Sequence, residues 1–191
     1  LRLVGSEMCI RDRFNYPEYI CSLFAAKKIG RPVKWVSERT EAFLSDTHGR
    51  DHVTKAKMAL DKDGIFLGIK INTTANLGAY LSNFAIFVPT LAGTAMLAGC
   101  YKTPAIYVNV LGVFTNTPAI DAYRGAGRPE ASYVIERLVD IAGMKTGLGP
   151  IEIRRRNLIP ASAMPYKTAL NHTYDSGDFI STMEMAVEDS D

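Results

Sequence analysis

The chain has 191 residues, of which 47% are hydrophobic and 22% are charged, an ordinary composition for a soluble globular protein of one or two domains. Its net charge of +2 argues against a nucleic-acid-binding surface, which would cluster far more basic charge on one face. The cysteines, Cys9, Cys21 and Cys100, have the spacing of neither a metal site nor a disulfide framework. We therefore expect reduced thiols in a cytoplasmic protein.

The start of the chain does not match the rest of the sequence. The clearest sign is residues 8–13, MCIRDR, which resemble the translation of a transposon-end sequencing adapter. We therefore interpret residues 1–13 as adapter-derived, non-native sequence and expect the native chain, a fragment of a larger protein, to begin near Phe14. A genuine N-terminal arm is the alternative. This segment has no apolar centre, so no secretory signal is predicted.

The next elements alternate between helix and strand. Apolar spacing predicts an amphipathic helix over 17–29, and the following apolar residues predict a strand over 32–37. Residues 38–51 have the composition of a polar loop. His48 and His52 lie four residues apart but lack a third ligand, so we interpret them as solvated loop histidines and predict no metal site.

Two segments with strict alternation predict a β-hairpin. Its first strand covers 52–61 and its second 65–71, joined by a turn at Asp61-Lys62-Asp63-Gly64. The expected inner face of the second strand carries Ile65, Leu67, Ile69 and Ile71. Lysines on the other face mark it as solvated.

The segment from Ile71 to Tyr101 contains no charged residue. Within it, residues 84–100 approach the ~20 apolar residues of a membrane-spanning helix. Pro89, Gly93 and Gly99 interrupt the run, so we expect a helix buried in a large core and no membrane span.

The remaining elements are a buried strand over 106–114, a strong helix from Pro129 to Lys145, a helix from Gly149 through Arg156, and a last helix over 179–187 that follows an N-cap-like stretch, Asp175-Ser176-Gly177-Asp178. The three arginines 154–156 fan around their helix, which favours ion pairs or partner contacts over a phosphate site. Together the elements predict an α+β fold: a mixed or antiparallel, hairpin-containing sheet with packed helices. We expect residues 14–191 to form one segment of one or two closely packed domains.

A glycine-containing loop joins the strand 106–114 to the strong helix. Gly125 and Gly127 lack a Cβ, so a ligand could approach the main chain, and Pro129 is suited to the first helical turn. Strand, loop and helix N-terminus together could bind an anion. The loop lacks the third glycine of the dinucleotide fingerprint and the Gly-Lys-Ser/Thr of a Walker loop. A tight turn that caps the helix is the simpler alternative.

The loop sequence AYRGAGRPEA, residues 122–131, resembles the active-site loop of the molybdenum hydroxylases. These are the molybdopterin-binding large subunits of the xanthine dehydrogenase, aldehyde oxidase and aerobic carbon-monoxide dehydrogenase family. The resemblance extends from about Phe14 to the C-terminus, through further stretches in the family's order: Tyr16-Pro17-Glu18, Arg31-Pro32-Val33-Lys34-Trp35, Gly78-Ala79-Tyr80, residues 153–159 and residues 174–179.

The resemblance implies oxidative hydroxylation of an aldehyde or N-heteroaromatic carbon with a molybdenum–molybdopterin cofactor, for which the cytosine dinucleotide form is an option. Electrons would pass to iron–sulfur and FAD partner subunits. The implied cofactor-binding residues are Tyr123, Arg124, Gly125, Ala126 and Gly127. The amide of Arg124 would face the molybdenum, and its side chain would form a structural ion pair that holds the loop.

Two departures limit the resemblance. Gly125 stands where copper-containing carbon-monoxide dehydrogenases carry Cys, so no copper is expected and carbon monoxide is a poor candidate substrate. Ala126 stands where xanthine and aldehyde oxidisers carry Phe, so purine specificity does not carry over.

The family's Gly-Gly-Phe-Gly loop would precede Phe14, and its general-base glutamate would lie beyond Asp191. We therefore predict no catalytic residue in this chain, which by itself should bind no cofactor and be inactive. One alternative function is a non-catalytic scaffold or assembly piece. Another is a phosphate- or nucleotide-binding domain, although the loop lacks the third glycine and the Lys-Ser/Thr that such domains carry.

Overall fold

The structure is a computed structural model that describes residues 17–190. The interpretation of residues 1–13 as adapter-derived, and the boundary at Phe14, lie outside the described residues. The α-helices are α1 (Pro17–Ile29), α2 (Arg39–Ser45), α3 (Arg128–Thr146), α4 (Gly149–Asn157) and α5 (Phe179–Glu188). The strands are β1 (His52–Leu60), β2 (Phe66–Asn76), β3 (Ile106–Val113), β4 (Tyr166–Lys167) and β5 (Thr173–Tyr174).

The main sheet has the order β1-β2-β3, with β1 antiparallel and β3 parallel to β2. The predicted α+β class with a mixed, hairpin-containing sheet is therefore confirmed. The hairpin turn is held by Asp61, whose carboxylate accepts the N–H groups of Asp63 at 2.9 Å and Ile65 at 2.8 Å. The strand predicted over 106–114 is present as β3, but it is not buried as predicted, because among the described residues it lies at the edge of the sheet and its alternate residues face outward.

The inner face of β2 differs from the predicted one near the turn. The register shifts so that Leu60 pairs with Phe66 and Ala59 pairs with Gly68, which leaves Leu67 without a partner. A bulge of one residue reverses the faces of the residues before it. Phe66 is therefore 1% exposed and Leu67 is 50% exposed, whereas Ile69 and Ile71 are buried as predicted.

Helix α3 supplies much of the core. Its buried side chains are Ala131, Ile135, Val139 and Ala142. They pack with the inner sheet face, with Leu97 and Tyr101, and with Ile153 of α4. The predicted ion pairs of the arginine run are confirmed: Arg154 bridges Glu136 and Asp140, Arg155 pairs with Glu152 and Glu184, and Arg156 pairs with Glu152.

Two expectations for residues 32–51 are wrong. Residues 32–37 form no strand, because no described strand lies beside them to accept and donate their hydrogen bonds. The polar loop contains helix α2. Glu38 is the N-cap residue of this helix. Its N–H donates to the carboxylate of Glu41 at 3.4 Å, as in a capping box, and this bond stabilises the start of the helix.

Residues 84–100 do not form the predicted buried helix. They form turns around a π-helical turn at Val88–Ala92, with Pro89 in its first turn. Val88 and Ala92 are buried, but Ile86, Phe87 and Leu91 are exposed. Within residues 17–190, no helix combines the length and apolarity needed to cross a membrane.

Candidate functional site

A buried polar cluster lies at the end of β2, beside the chain that leads from β3 into the loop 122–127. The Asn76 carboxamide oxygen accepts the N–H of Gly78 at 2.8 Å and the hydroxyl of Thr115 at 2.7 Å. Its amide nitrogen donates to Asp51 and Thr117. This cluster ties the end of the sheet to the chain that leads from β3 into the loop.

Asp121 fixes the entrance of the loop. Its side chain is 3% exposed and accepts the hydroxyl of Ser82 and, at 2.6 Å, the N–H of Ala122. Its own N–H donates to the carbonyl of His48 at 2.9 Å. Sequence reasoning assigned Asp121 no role, because a single Asp in a loop has no pattern that distinguishes it.

The backbone of the loop is left-handed over three consecutive residues. The φ angles of Gly125, Ala126 and Gly127 are +92°, +44° and +91°. The turn is closed by the Ala126 N–H, which donates to the carbonyl of Tyr123 at 2.6 Å, and by the Arg128 N–H, which donates to Gly125 at 3.1 Å. Such backbone is unfavourable for a residue with a Cβ and occurs where the surroundings hold it in place.

Both loop glycines are also required by packing within the protein. A Cβ at Gly127 would lie 2.5 Å from the carbonyl oxygen of Val88 and 2.8 Å from the nitrogen of Gly93. A Cβ at Gly125 would lie 2.6 Å from Cγ of Pro129. The π-helical turn therefore packs against the loop at Gly127, and the first turn of α3 packs against it at Gly125.

Arg50, just before β1, contacts the loop from the opposite side. Its guanidinium carbon lies 4.5 Å from the centroid of the Tyr123 ring, and its Nη2 donates to the carbonyl of Arg124. Its Nε lies 3.6 Å from Oε1 of Glu130 in the first turn of α3. Sequence reasoning missed Arg50, because the contact spans 74 residues and the segment had the composition of a plain polar loop.

The surroundings of Arg50 include two further titratable groups. Glu130 Oε2 is buried and has no hydrogen-bond partner among the described residues. Burial lowers the pKa of His52 below its ordinary value, although Glu130 and Asp51 act in the opposite direction. His52 lies half-buried on β1, so its interpretation as a solvated loop histidine is wrong. His48 is exposed as predicted, and residues 17–190 contain no group of three or more His, Cys, Asp or Glu able to hold a metal.

The five predicted site residues 123–127 lie together in this turn. Within residues 123–127 only the main-chain N–H of Ala126 has an acceptor among residues 17–190, and the N–H groups of Arg124 and Gly125 are among those without one. The expected ion pair of the Arg124 side chain is not formed with any described residue. What Arg124 contributes to the loop contacts is its carbonyl.

The N-terminus of α3 offers little to a phosphate group. The N–H of Arg128 already donates to Gly125, and Pro129 has no N–H. The carboxylate of Glu130 adds negative charge in the first turn. These features disfavour the phosphate- or nucleotide-binding alternative, which needs free donors at this helix end.

Comparison with known proteins identifies the class to which this fold and loop belong. Residues 11–158 match the family model of the molybdopterin cofactor-binding domain. The chain therefore belongs to this family, and the resemblance identified in the loop and the flanking motifs is confirmed.

Individual relatives agree. The chain is 35% identical over 178 residues to the gamma subunit of the 6-hydroxypseudooxynicotine dehydrogenase complex of Paenarthrobacter nicotinovorans and to the carbon monoxide dehydrogenase large chain of Hydrogenophaga pseudoflava, covering 91% of this chain. Its fold superimposes on quinoline 2-oxidoreductase from Pseudomonas putida 86 with a TM-score of 0.83 and 33% identity, over 91% of this chain. In each comparison the chain spans 22% of the relative's length.

Proposed function

We propose that the protein containing this chain is a molybdenum-cofactor-dependent oxidoreductase that hydroxylates an aldehyde or an N-heteroaromatic carbon. The observation that carries the proposal is the turn 123–127, whose unpaired main-chain N–H groups include those of Arg124 and Gly125, in a chain of the molybdopterin cofactor-binding family. One structural relative is a quinoline oxidoreductase, and quinoline is an N-heteroaromatic compound, which motivates that substrate class.

The residues of the turn fit the cofactor chemically. Oxygen and nitrogen acceptors of the pterin and of the metal's ligands need hydrogen-bond donors, and the N–H groups of Arg124 and Gly125 supply them without adding a charge that titrates. Tyr123, Ala126 and Gly127 would complete the wall around the cofactor. When bound, the cofactor supplies the oxidative chemistry, and this chain holds and orients it.

Several finer features belong to the same proposal. The cofactor is molybdenum–molybdopterin, with the cytosine dinucleotide form as one option, and no copper is expected because Gly125 offers no thiolate. Electrons leave through iron–sulfur and FAD partner subunits of a cytoplasmic complex. The general base lies outside this chain, which alone binds no cofactor.

Elemental analysis of the purified full-length protein tests this function first. We expect about one molybdenum per chain carrying this domain, no copper, and turnover of an aldehyde or an N-heteroaromatic compound with an artificial electron acceptor. Molybdenum in the isolated 191-residue chain would contradict the proposal that this chain alone binds no cofactor. A full-length protein without molybdenum would instead favour the scaffold alternative.

A further inference from the structure

Arg50 joins three parts of the site at once. Its guanidinium stacks on the Tyr123 ring at 4.5 Å, donates from Nη2 to the Arg124 carbonyl, and lies with Nε 3.6 Å from Glu130. A planar guanidinium can stack with its face while it donates from its edge, which a lysine ammonium cannot do. Arg50 therefore connects the start of β1 to both the loop and the first turn of α3.

The backbone conformation is unusual both at Arg50 and in the loop that Arg50 contacts. Among the described residues, Arg50 and Ala126 are the non-glycine residues with positive φ, at +61° and +44°. An L-residue with a Cβ adopts this conformation only when neighbouring contacts hold it there. One of these residues lies in the loop, and the other contacts the loop directly.

The geometry of the peptide unit connects Arg50 to the free donors. A trans peptide unit is planar, so its C=O and N–H point in opposite directions. Arg50 holds the carbonyl of Arg124, and the N–H of Gly125 in the same unit therefore points away from Arg50. The preceding unit is fixed in the same way, because the Tyr123 carbonyl accepts the Ala126 N–H and so directs the N–H of Arg124 out of the turn.

We propose that Arg50 is a positioning residue for the cofactor-binding loop. It fixes the peptide unit between Arg124 and Gly125, so that the N–H groups of these two residues are presented side by side to one acceptor-rich ligand. Glu130 holds the guanidinium in place by its charge. The identity of the ligand as molybdopterin rests on the proposed function, whereas the clamp on the loop does not.

Hydrogen–deuterium exchange of the full-length protein tests the clamp. In an Arg50→Ala variant we expect exchange in peptides covering residues 122–131 to rise roughly tenfold, because the bonded N–H groups of Ala126 and Arg128 open more often when a charge-assisted bond is lost. Arg50→Lys should give an intermediate rise. The molybdenum content should fall in the same order.

Arg155→Ala is the matched control. It removes an arginine that pairs with Glu184 at 2.7 Å and Glu152 at 2.8 Å, on α5 and α4, so it should leave loop exchange and molybdenum content as in the wild type. If Arg50→Ala melts the whole protein, the milder Arg50→Lys variant decides the question.

The outcomes separate the two proposals. Unchanged loop exchange in both Arg50 variants would overturn the positioning role, and so would molybdenum loss without faster exchange. A wild-type protein without molybdenum would overturn the proposed function, while faster exchange in the Arg50 variants would still support the clamp.

Discussion

Gly127 and Val88 are in direct main-chain contact, with space for no side-chain atom between them: a Cβ on Gly127 would lie 2.5 Å from the Val88 carbonyl oxygen. Gly127 also has a φ of +91°. We therefore predict that Gly127→Ala lowers the free energy of unfolding by about 3 kcal/mol or more, from a left-handed alanine plus a backbone clash. Chemical denaturation of the full-length protein measures this loss.

Gly147→Ala is the control for the conformational part of that cost. Gly147 has a φ of +74°, but nothing lies within 4 Å of its added Cβ. We expect it to cost only about 1 kcal/mol and to leave molybdenum content unchanged. Equal losses in the two variants would show that the contact with Val88 adds nothing.

The second prediction concerns copper. Gly125→Cys places a thiol at the loop position where a soft metal could be bound, but its Cβ would lie 2.6 Å from Cγ of Pro129, on a backbone with a φ of +92°. We expect the variant to lose stability and gain no copper by elemental analysis. Adding Pro129→Ala should recover part of the stability, because it removes the clash and leaves the φ penalty. Copper binding by a stable single variant would contradict this account.

The third prediction concerns Asn157, whose side chain is 1% exposed. Its amide donates to the carbonyls of Gly64 at 2.9 Å and Ile153 at 2.8 Å, and its oxygen accepts the N–H of Phe66 at 2.8 Å. Asn157→Leu leaves these groups unpaired in the core, and we expect a loss of about 3 kcal/mol in the free energy of unfolding.

Asn109→Leu, on the exposed side of β3, provides the comparison and should change stability by less than about 0.5 kcal/mol. If the two variants lose equal stability, the hydrogen bonds of Asn157 do not hold the hairpin turn against α4.

The fourth prediction concerns pH. Burial, assisted by the charge of Glu136, raises the pKa of the Cys100 thiol from 9.0 to about 11. The Cys100 thiol of the native state therefore stays protonated up to a higher pH than that of the unfolded state. The contribution of the protonated thiol to the free energy of unfolding is complete below about pH 9 and is lost as the pH rises through about 11.

Alkylation kinetics measure this shift. At pH 8 only about one Cys100 thiol in a thousand is ionised in the native protein, so the site should react with iodoacetamide far more slowly than in urea-unfolded protein. Mass spectrometry of the Cys100 peptide gives both rates. Similar rates in the two states would show that the thiol is neither buried nor shifted.

The sequence by itself determined the elements whose signals are local. Helical periodicity predicted α1 and α3, alternation predicted the hairpin strands, and glycine and proline marked the turn at Gly64 and the start of α3. The ordered motifs identified the family and placed the candidate site in residues 123–127. These features depend on neighbouring residues, because a helix or a hairpin is specified by residues close to one another along the chain.

Only the tertiary structure decided the features that depend on distant neighbours. The bulge at Leu67, the parallel pairing of β3 and the failure of residues 32–37 to form a strand each depend on which segment lies alongside. The loop glycines are needed partly because Val88 and Pro129 occupy the space of a side chain. Arg50 reaches Arg124 across 74 residues, and no local pattern can encode a contact whose two halves meet only after the chain has folded.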